Sequence, residues 1–445
     1  MLQRGDPGVL PEPVFLRGRY AARAAVQHAS HVAPVRGLIA LFVKNYQYGG
    51  TQRVLLRLAN KLFDYGYPVH VVCPGTGPLE STLKDGVRRV KIVPGNQLHA
   101  RALALRANSA AAADLLLPLV LPLHPLKGLP LLGPLATYLR EARPSVLISG
   151  TASLNVVSTL AKRLADVDTG LVLTEHVSTD QRRVTDWRFA RRYLPSLMRR
   201  TYRDAGAIVG VSTGVAADLR TLLKVPVERV RCIYNPAVPD NIQSLARASV
   251  PHRWFDIDQP PVILSAGRAG RTKDFAMLVR AFARVRSERP VRLVILSSGA
   301  PGSAASAHLD SLRTLARDLG VAEDFEILDF TANPFAYMAR AGVFASSSTS
   351  EGFGNVVAEA LACGCPVVST RTDGPIEVLE NGRYGRLVPV GDVGAMAAAL
   401  SATLSAPRNS AEFVLRAAAF GEDRAARAYE LLCREVGAPA HAVEA

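Results

Sequence analysis

Two glutamates lie close together around a glycine-rich turn in the stretch SSSTSEGFGNVVAEALACGCPVVSTRTDG. Glu351 precedes the turn Gly352–Gly354, and Glu359 falls within a helix that we predict to begin near Asn355. Glycine lets the backbone approach a ligand closely, and the free N–H groups at a helix N-terminus attract anions. Glu359, one turn inside the helix, could accept two hydrogen bonds from a vicinal diol such as a ribose. A site for phosphate and ribose together indicates a nucleotide.

The same stretch is also typical of an ordinary βαβ unit. A serine-rich strand end, a glycine turn and an alanine-rich helix closed by Gly364 and Pro366 need no ligand. Glu359 would then be a solvated helix residue. The rest of the chain has to decide between the two interpretations.

Two cations follow the predicted strand 262–265. Arg268 and Lys273 lie in the loop AGRAGRTKDF at the carboxyl end of that strand, which is where doubly wound sheets bind their ligands. They suit a diphosphate and the negative charge that it gains as it leaves. A solvated basic loop is the alternative interpretation.

The first half of the chain offers two further candidates. Gly49 and Gly50 lie between the predicted strand 38–43 and a helix, so their backbone can contact a ligand, although a glycine pair alone is weak evidence. His176 follows the predicted strand 171–174. A histidine at the carboxyl end of a strand is well placed to contact a substrate, and a structural role remains equally open.

Apolar runs alternate with amphipathic stretches almost from end to end, which predicts parallel sheets covered by helices. The predicted strands lie at 38–43, 69–73, 90–93, 146–149, 171–174, 208–211 and 230–234, and then at 262–265, 291–296, 325–328, 343–346 and 367–370. Predicted helices between them include 52–65, 154–164, 188–202, 275–286 and 334–340. A polar stretch with prolines separates the two groups of strands.

This restart of the pattern predicts an α/β protein with two Rossmann-like, doubly wound domains that face a central cleft. We expect the chain to divide into a disordered tail at 1–36, a first domain at 37–240, a linker at 241–261, a second domain at 262–410 and a C-terminal helix at 411–437. That helix has no sheet of its own to complete, so we expect it to pack back toward the first domain.

The segment 115–135 (LLLPLVLPLHPLKGLPLLGPL) departs from this pattern. Its several prolines and Lys127 prevent an uninterrupted transmembrane helix, despite its intensely apolar composition. It is either a buried, irregular excursion or a surface that dips into a bilayer, and we favour the membrane interpretation slightly.

Composition narrows the classes of partner. The formal net charge is +15, yet arginines are dispersed and aromatic residues make up only 6%, so we expect no nucleic acid. Phosphorylated ligands or an anionic membrane surface fit this charge better. Residues 1–34 lack the apolar core and the cleavage site of a signal peptide, so we expect a protein that is not exported.

The five cysteines are odd in number and lie mostly in apolar runs, which predicts reduced core residues and a cytoplasmic protein. Cys363 and Cys365 are two residues apart, but no second pair or histidine cluster supplies further zinc ligands. We therefore predict that the protein requires no metal.

Four motifs together resemble the retaining glycosyltransferases of family 4, which have the GT-B architecture. They are EGFGNVVAEALACGCPVVST, GRAGRTKDF, the tetrapeptide IYNP and the early YGGTQR. The resemblance spans nearly the whole chain from Gly37, and the spacing of Glu351 and Glu359 is its most specific mark. It implies an acceptor-side first domain and a second domain that binds a nucleotide sugar, with a UDP-sugar favoured as donor.

The resemblance also implies a role for each candidate residue. Glu351, His176, Arg268 and Lys273 would be catalytic: the two cations grip the diphosphate, and Glu351 and His176 lie near the transferred sugar. Donor binding would involve Glu359 at the ribose, the backbone of Gly354, Asn355, Val356 and Val357, and Gly49 and Gly50 from the first domain.

The acceptor is implied less directly. The apolar segment favours a glycan or lipid-linked acceptor, as in cell-envelope or exopolysaccharide assembly, with peripheral contact to anionic membrane at the cytoplasmic face of the inner membrane. A GT-B-like sugar-nucleotide epimerase remains an alternative, because it shares the fold and the nucleotide site without transferring the sugar. A non-catalytic carbohydrate-binding descendant is disfavoured by the intact glutamates and cations.

Two further enzyme classes fit the sequence poorly. A metal-dependent GT-A enzyme would need Asp256 and Asp258, which lie before a strand rather than after one. A dinucleotide dehydrogenase would need the G-x-G-x-x-G motif in its first βα turn, which the sequence lacks.

Overall fold

A computed structural model describes residues 37–107, 126, 128–177 and 190–437. The predicted tail 1–36 lies outside the described residues, as does most of the apolar segment 115–135. The described chain from Gly37 onward forms one compact unit with two parallel sheets.

The first sheet has seven strands in the order β3-β2-β1-β4-β5-β6-β7, and every pairing is parallel. Its strands are β1 (Ile39–Phe42), β2 (Val69–Cys73), β3 (Arg88–Lys91), β4 (Val146–Gly150), β5 (Gly170–Glu175), β6 (Ala207–Gly210) and β7 (Val230–Cys232). The central strands are buried on both faces, which explains why they read as continuous apolar runs rather than as alternating patterns.

The second sheet has six parallel strands in the order β10-β9-β8-β11-β12-β13. Its strands are β8 (Val262–Ala266), β9 (Arg292–Leu296), β10 (Phe325–Leu328), β11 (Val343–Ser346), β12 (Val367–Thr370) and β13 (Arg386–Val388). In both sheets the strand order reverses direction at the strand that comes first in the chain. The carboxyl ends of β8 and β11 meet at such a switch point, where a crevice opens.

Helices connect the strands of both sheets. In the described residues they are α1 (Gly50–Asp64), α2 (Gln97–Arg106), α3 (Leu132–Ala142), α4 (Ala152–Ala165), α5 (Ala190–Thr201), α6 (Thr213–Leu223), α7 (Ile242–Arg247), α8 (Phe275–Glu288), α9 (Ala304–Asp318), α10 (Pro334–Arg340), α11 (Asn355–Ala362), α12 (Asp373–Val378), α13 (Val393–Ser405), α14 (Ser410–Ala417) and α15 (Glu422–Gly437). This arrangement confirms the predicted architecture of two Rossmann-like domains.

The C-terminal helix α15 packs on the first sheet. Tyr429 and Leu432 are buried in the same hydrophobic cluster as β1, β2 and β4. A β-carbon at Gly170 or Gly206 would lie within 2.6 Å of the Val436 side chain, so the helix rests directly on these two glycines.

The predicted linker 241–261 lies between the last strand of the first sheet and the first strand of the second. The stretch 241–261 contains α7 and a 3-10 turn, and it packs against the second domain: Trp254 and Phe255 are buried, and the Asn333 side chain donates to the carbonyl oxygen of Leu245. Polar composition predicts a connector, and these two aromatic residues anchor that connector to the second domain.

The described end of the apolar segment is part of the core. Leu129, Leu131, Leu132 and Leu135 are each at most 5% exposed, so these four leucines do not form a membrane-facing surface. Leu129 and Leu131 lie in the 3-10 turn before α3, and Leu132 and Leu135 lie at the start of α3. In the described residues, no helix combines the length and the apolar character needed to cross a membrane.

Candidate functional site

The glycine turn after β11 is shaped by its sequence. Gly354 has a φ of +84°, the left-handed region that favours glycine, and α11 begins directly after it. Phe353 anchors the turn, because its ring is buried between Tyr234 and Phe420 at centroid distances of 5.8 and 5.5 Å. Aromatic packing therefore anchors the turn, and α11 begins just after the carboxyl end of β11, where doubly wound sheets bind their ligands.

Glu351 and Lys273 form an ion pair beside this turn. Lys273 Nζ lies 2.6 Å from Glu351 Oε2, and both side chains are about one fifth exposed. The lysine side chain lies across Gly267, where a β-carbon would be 2.9 Å from its Cε. A diphosphate entering the crevice would compete with Glu351 for the ammonium group.

Arg268 lies in the same loop but is exposed. No ion pair or hydrogen bond engages its side chain among the residues that the structure describes. The structure thus brings Lys273 to Glu351 and leaves Arg268 free to meet a ligand. Val357 is fully buried in the core, so it can contact a ligand only through its backbone, whereas the Val356 side chain is partly exposed.

Glu359 is buried in α11 and reaches the first domain. Its Oε1 accepts a hydrogen bond of 3.0 Å from Arg53 Nη2, and Arg57 Nη1 lies 3.9 Å away. Its Oε2 is buried and has no hydrogen-bond partner in the described chain. The carboxylate is therefore oriented by one oxygen, while the other remains available as an acceptor.

Arg57 links Glu359 to the chain between the domains. It donates to the carbonyl oxygens of Pro236 and Ala237, and its Nε lies 3.2 Å from Glu422 of α15. Burial, and then the neighbouring Arg53, lower its pKa below the usual range, while the two carboxylates oppose that change. The cluster joins α1, α11, α15 and the segment that carries the IYNP motif.

The predicted glycine pair lies at the contact between the domains. Gly49 precedes α1, and a β-carbon at Gly50 would lie 3.1 Å from Asn355 Nδ2. Asn355 Oδ1 in turn accepts a hydrogen bond of 2.9 Å from Asn235 Nδ2. Gly50 therefore lets α1 approach the N-terminus of α11 closely.

His176 also faces the second domain. A β-carbon at Gly352 would lie 2.5 Å from the carbonyl oxygen of His176, so the histidine backbone lies directly against the glycine turn. The ring is 9% exposed, and burial lowers its pKa to about 4. At neutral pH the ring is uncharged.

The sequence interpretation missed three participants. Arg53 and Arg57 are four residues apart and so share one face of α1, a spacing that points two cations in one direction. Their partner Glu359 is about 300 residues away and could not be inferred from local pattern. Tyr48, beside the glycine pair, stacks on Phe330 of the second domain at a centroid distance of 5.8 Å.

Comparison with known proteins decides the family. Residues 48–241 match the family described as Glycosyltransferase Family 4, and residues 260–406 match Glycosyl transferases group 1. The chain belongs to the group 1, family 4 glycosyltransferases. Its two domains correspond to the two matched regions, and the glycine turn, Lys273 and both glutamates lie within the group 1 region.

Two relatives of this glycosyltransferase are named for a diphospho-undecaprenol-linked glycan and for lipopolysaccharide core biosynthesis. It is 32% identical over 243 residues to the N-acetylgalactosamine-N,N'-diacetylbacillosaminyl-diphospho-undecaprenol 4-alpha-N-acetylgalactosaminyltransferase of Campylobacter jejuni, covering 53% of this chain and 61% of the relative. It is 36% identical over 202 residues to the lipopolysaccharide core biosynthesis glycosyltransferase LpsE of Rhizobium meliloti, covering 45% and 54%. The matches thus span little more than half the length of these relatives.

Solved structures share the GT-B fold of this glycosyltransferase. The sucrose-phosphate synthase of Thermosynechococcus elongatus superposes with a TM-score of 0.72 at 19% identity, covering 90% of this chain and 99% of that one. Anabaena HepE in complex with UDP and glucose gives a TM-score of 0.65 at 17% identity, covering 90% and 96%.

Proposed function

We propose that this protein is a retaining glycosyltransferase that moves a sugar from a nucleoside-diphosphate sugar, with UDP favoured, to an acceptor hydroxyl. The observation that carries the proposal is the grouping of Lys273, Glu351 and the orphaned Oε2 of Glu359 around one helix N-terminus. The cation Lys273 suits the diphosphate of a donor molecule, the carboxylate of Glu351 suits its sugar, and the buried acceptor Oε2 of Glu359 suits its ribose.

The chemistry requires stabilisation of a leaving group. The bond between the sugar C1 and the diphosphate oxygen breaks, a bond from the acceptor oxygen to C1 forms, and nucleoside diphosphate and a proton are released. Lys273 and the exposed Arg268 would take up the charge that develops on the diphosphate. We expect no metal to be required for this step.

Neither glutamate is placed as a free nucleophile. Glu351 is paired with Lys273, and Glu359 is paired with Arg53, so each carboxylate is already compensated by a cation. The two-carboxylate scheme of glycosidases therefore does not transfer to this site. We propose that Glu351 contacts the transferred sugar from its position beside Lys273 and does not attack it.

Donor cleavage tests the proposal. Release of UDP or GDP is measured in single turnovers with UDP-glucose, UDP-galactose, UDP-N-acetylglucosamine and GDP-mannose. With whichever donor the wild type cleaves, Lys273→Met should slow cleavage by roughly a hundredfold or more, as expected for the loss of one electrostatic donor. Arg271→Met is the matched control, because Arg271 is an exposed cation in the same turn.

Three results would contradict the proposal. They are the absence of cleavage of every donor, cleavage by Lys273→Met at the wild-type rate, and conversion of one UDP-sugar into another without release of UDP. The last would identify the epimerase alternative.

The acceptor is proposed to be a lipid-linked or cell-envelope glycan, because one relative is named for a diphospho-undecaprenol-linked substrate and the other for lipopolysaccharide core biosynthesis. Contact with anionic membrane is proposed for the β3 edge of the first domain. There a cavity of about 890 Å³ is lined by three cations (Lys91, Arg106 and Arg140), by the acidic Glu141 and by Val93, which is 69% exposed. The nearby Leu98 is 70% exposed. Exposed cations beside exposed apolar side chains suit a lipid surface.

Co-sedimentation with vesicles tests this contact. Phosphatidylglycerol vesicles should retain the protein and phosphatidylcholine vesicles should not, and Arg106→Glu with Arg140→Glu should abolish the difference. Equal binding of the wild type to both vesicles would refute it.

A further inference from the structure

A buried hydroxyl lies directly behind His176. Thr174 Oγ1 is 2.9 Å from the carbonyl oxygen of Ser149 on the neighbouring strand, and 3.1 Å from Nε2 of the His176 ring. All three residues are buried. Both distances are hydrogen-bond distances, so each needs a proton between its two heavy atoms.

The number of protons decides the direction of both bonds. A carbonyl oxygen only accepts, so Thr174 must give its single hydroxyl proton to Ser149. The bond to the ring therefore takes its proton from His176 Nε2. We infer that Thr174 holds His176 as the Nε2–H tautomer, leaving Nδ1 as a fixed acceptor for a hydroxyl of the donor sugar; the second half of this inference rests on the proposed function.

The state of Nδ1 supports this assignment. Nδ1 is buried and makes no hydrogen bond in the described chain, although the Asn235 side chain lies near the ring and opposes the lowering of its pKa. Buried polar atoms are almost always satisfied, and Asn235 Nδ2 already donates to Asn355 Oδ1, so Nδ1 retains the capacity to accept a hydrogen bond from a ligand. The ring is neutral because burial lowers its pKa to about 4, so it carries one N–H and Nδ1 keeps its lone pair.

Close packing prevents the ring from changing its partner. A β-carbon at Gly150 would lie 3.1 Å from Thr174 Oγ1 and 3.3 Å from His176 Nε2, so β4 passes immediately behind the pair. On its other side the His176 backbone touches Gly352, one residue from Glu351. The ring is thus held in the wall where the proposed sugar site meets the first domain, and Thr174 is a positioning residue.

The tautomer can be measured without any donor. Full-length protein with ¹⁵N-labelled histidine is examined by long-range ¹H–¹⁵N correlation, and the His176 signals are assigned from their loss in His176→Gln. We expect Nε2 to have the shift of a protonated ring nitrogen and Nδ1 that of an unprotonated one. Thr174→Val should shift the population toward the other tautomer, and Thr174→Ser should retain the wild-type pattern.

Thr159→Val is the matched control. Thr159 is equally buried, but its hydroxyl donates within α4 to the carbonyl oxygen of Asn155 and does not contact the ring. A wild-type ring protonated at Nδ1, or a Thr174→Val ring with an unchanged pattern, would overturn the tautomer assignment. The wild-type and Thr174→Ser spectra decide the question even where Thr174→Val does not fold.

The sugar contact is tested with the donor that the wild type cleaves and its monodeoxyfluoro analogues, which lack one hydroxyl proton each. One analogue should be cleaved about tenfold less efficiently by the wild type, and Thr174→Val should not discriminate against it. Equal discrimination by both enzymes against every analogue would refute the contact. A wild type that cleaves no nucleotide sugar would instead refute the proposed function, while the spectra would still decide the tautomer.

Discussion

Replacing Glu359 with glutamine should weaken nucleotide binding for a reason that depends on Arg53. The amide of Glu359→Gln can still accept from Arg53 through its oxygen, and the 3.0 Å contact favours that orientation. The amide NH₂ then occupies the position of Oε2, the buried atom with no partner, and it cannot accept a hydrogen bond from a ribose hydroxyl. Flipping the amide would set two donors, the NH₂ group and the Arg53 guanidinium, against each other.

The magnitude follows from the bond that is lost. A hydrogen bond to a charged group contributes about 1.5–3 kcal/mol, which corresponds to roughly a 10- to 150-fold increase in Kd. Isothermal titration with UDP and GDP measures it, using whichever nucleotide the wild type binds. In the Arg53→Met background the amide is free to flip. The increase in Kd that Glu359→Gln causes should therefore be about 3- to 10-fold smaller in that background.

Glu422→Gln is the control for the loss of charge. Glu422 also pairs with Arg57, but it lies on α15 and not on the glycine-turn helix. Its replacement should lower the melting temperature without changing Kd. A Kd for Glu359→Gln within twofold of the wild type would refute the reasoning, as would a penalty that is unchanged when Arg53 is replaced.

Two further predictions concern His176 and the turn that it touches. Burial holds the folded-state pKa of His176 at about 4, against an ordinary 6.5, so the unfolded chain takes up a proton first as the pH falls. Between pH 6.5 and 4 the free energy of unfolding, measured with urea, should therefore fall by up to about 3 kcal/mol more in the wild type than in His176→Gln. An identical dependence on pH in the two proteins would contradict this prediction. Gly352→Ala would place a β-carbon 2.5 Å from the His176 carbonyl oxygen, so the turn must move and donor cleavage should slow by up to about a hundredfold. Gly75→Ala is the control, because its β-carbon would meet no atom within 4 Å, and it should cleave the donor at the wild-type rate. Equal rates for the two variants would show that the contact is unimportant.

The glycine turn and its helix were predictable because their signals are local. The glycine at position 354 predicts a left-handed backbone conformation there. The serine-rich end of the preceding strand predicts the position of the ligand crevice. Strand β3 was predicted two residues too late, at 90–93 instead of Arg88–Lys91. It is an exposed edge strand whose outer residues are cations, so hydrophobic pattern does not mark its start.

The electrostatic partners of the site were not predictable in the same way. Arg53 and Arg57 could be placed on one face of α1, but only the packing of the two domains brings that face to Glu359. Thr174 likewise reads as an ordinary strand residue. Its role depends on a carbonyl of the adjacent strand and a ring two residues later, which a linear pattern does not display.

The position of α15 has a consequence for how the protein is made. The first domain's core contains Tyr429, Leu432 and Cys433, so residues near position 40 pack against residues that leave the ribosome about 390 positions later. The first domain therefore emerges long before its own core can close. The sheet of the second domain needs only residues 262–388, so all its strands are synthesised before α15. At that stage the first domain still exposes the surface around Gly170 and Gly206 on which α15 packs.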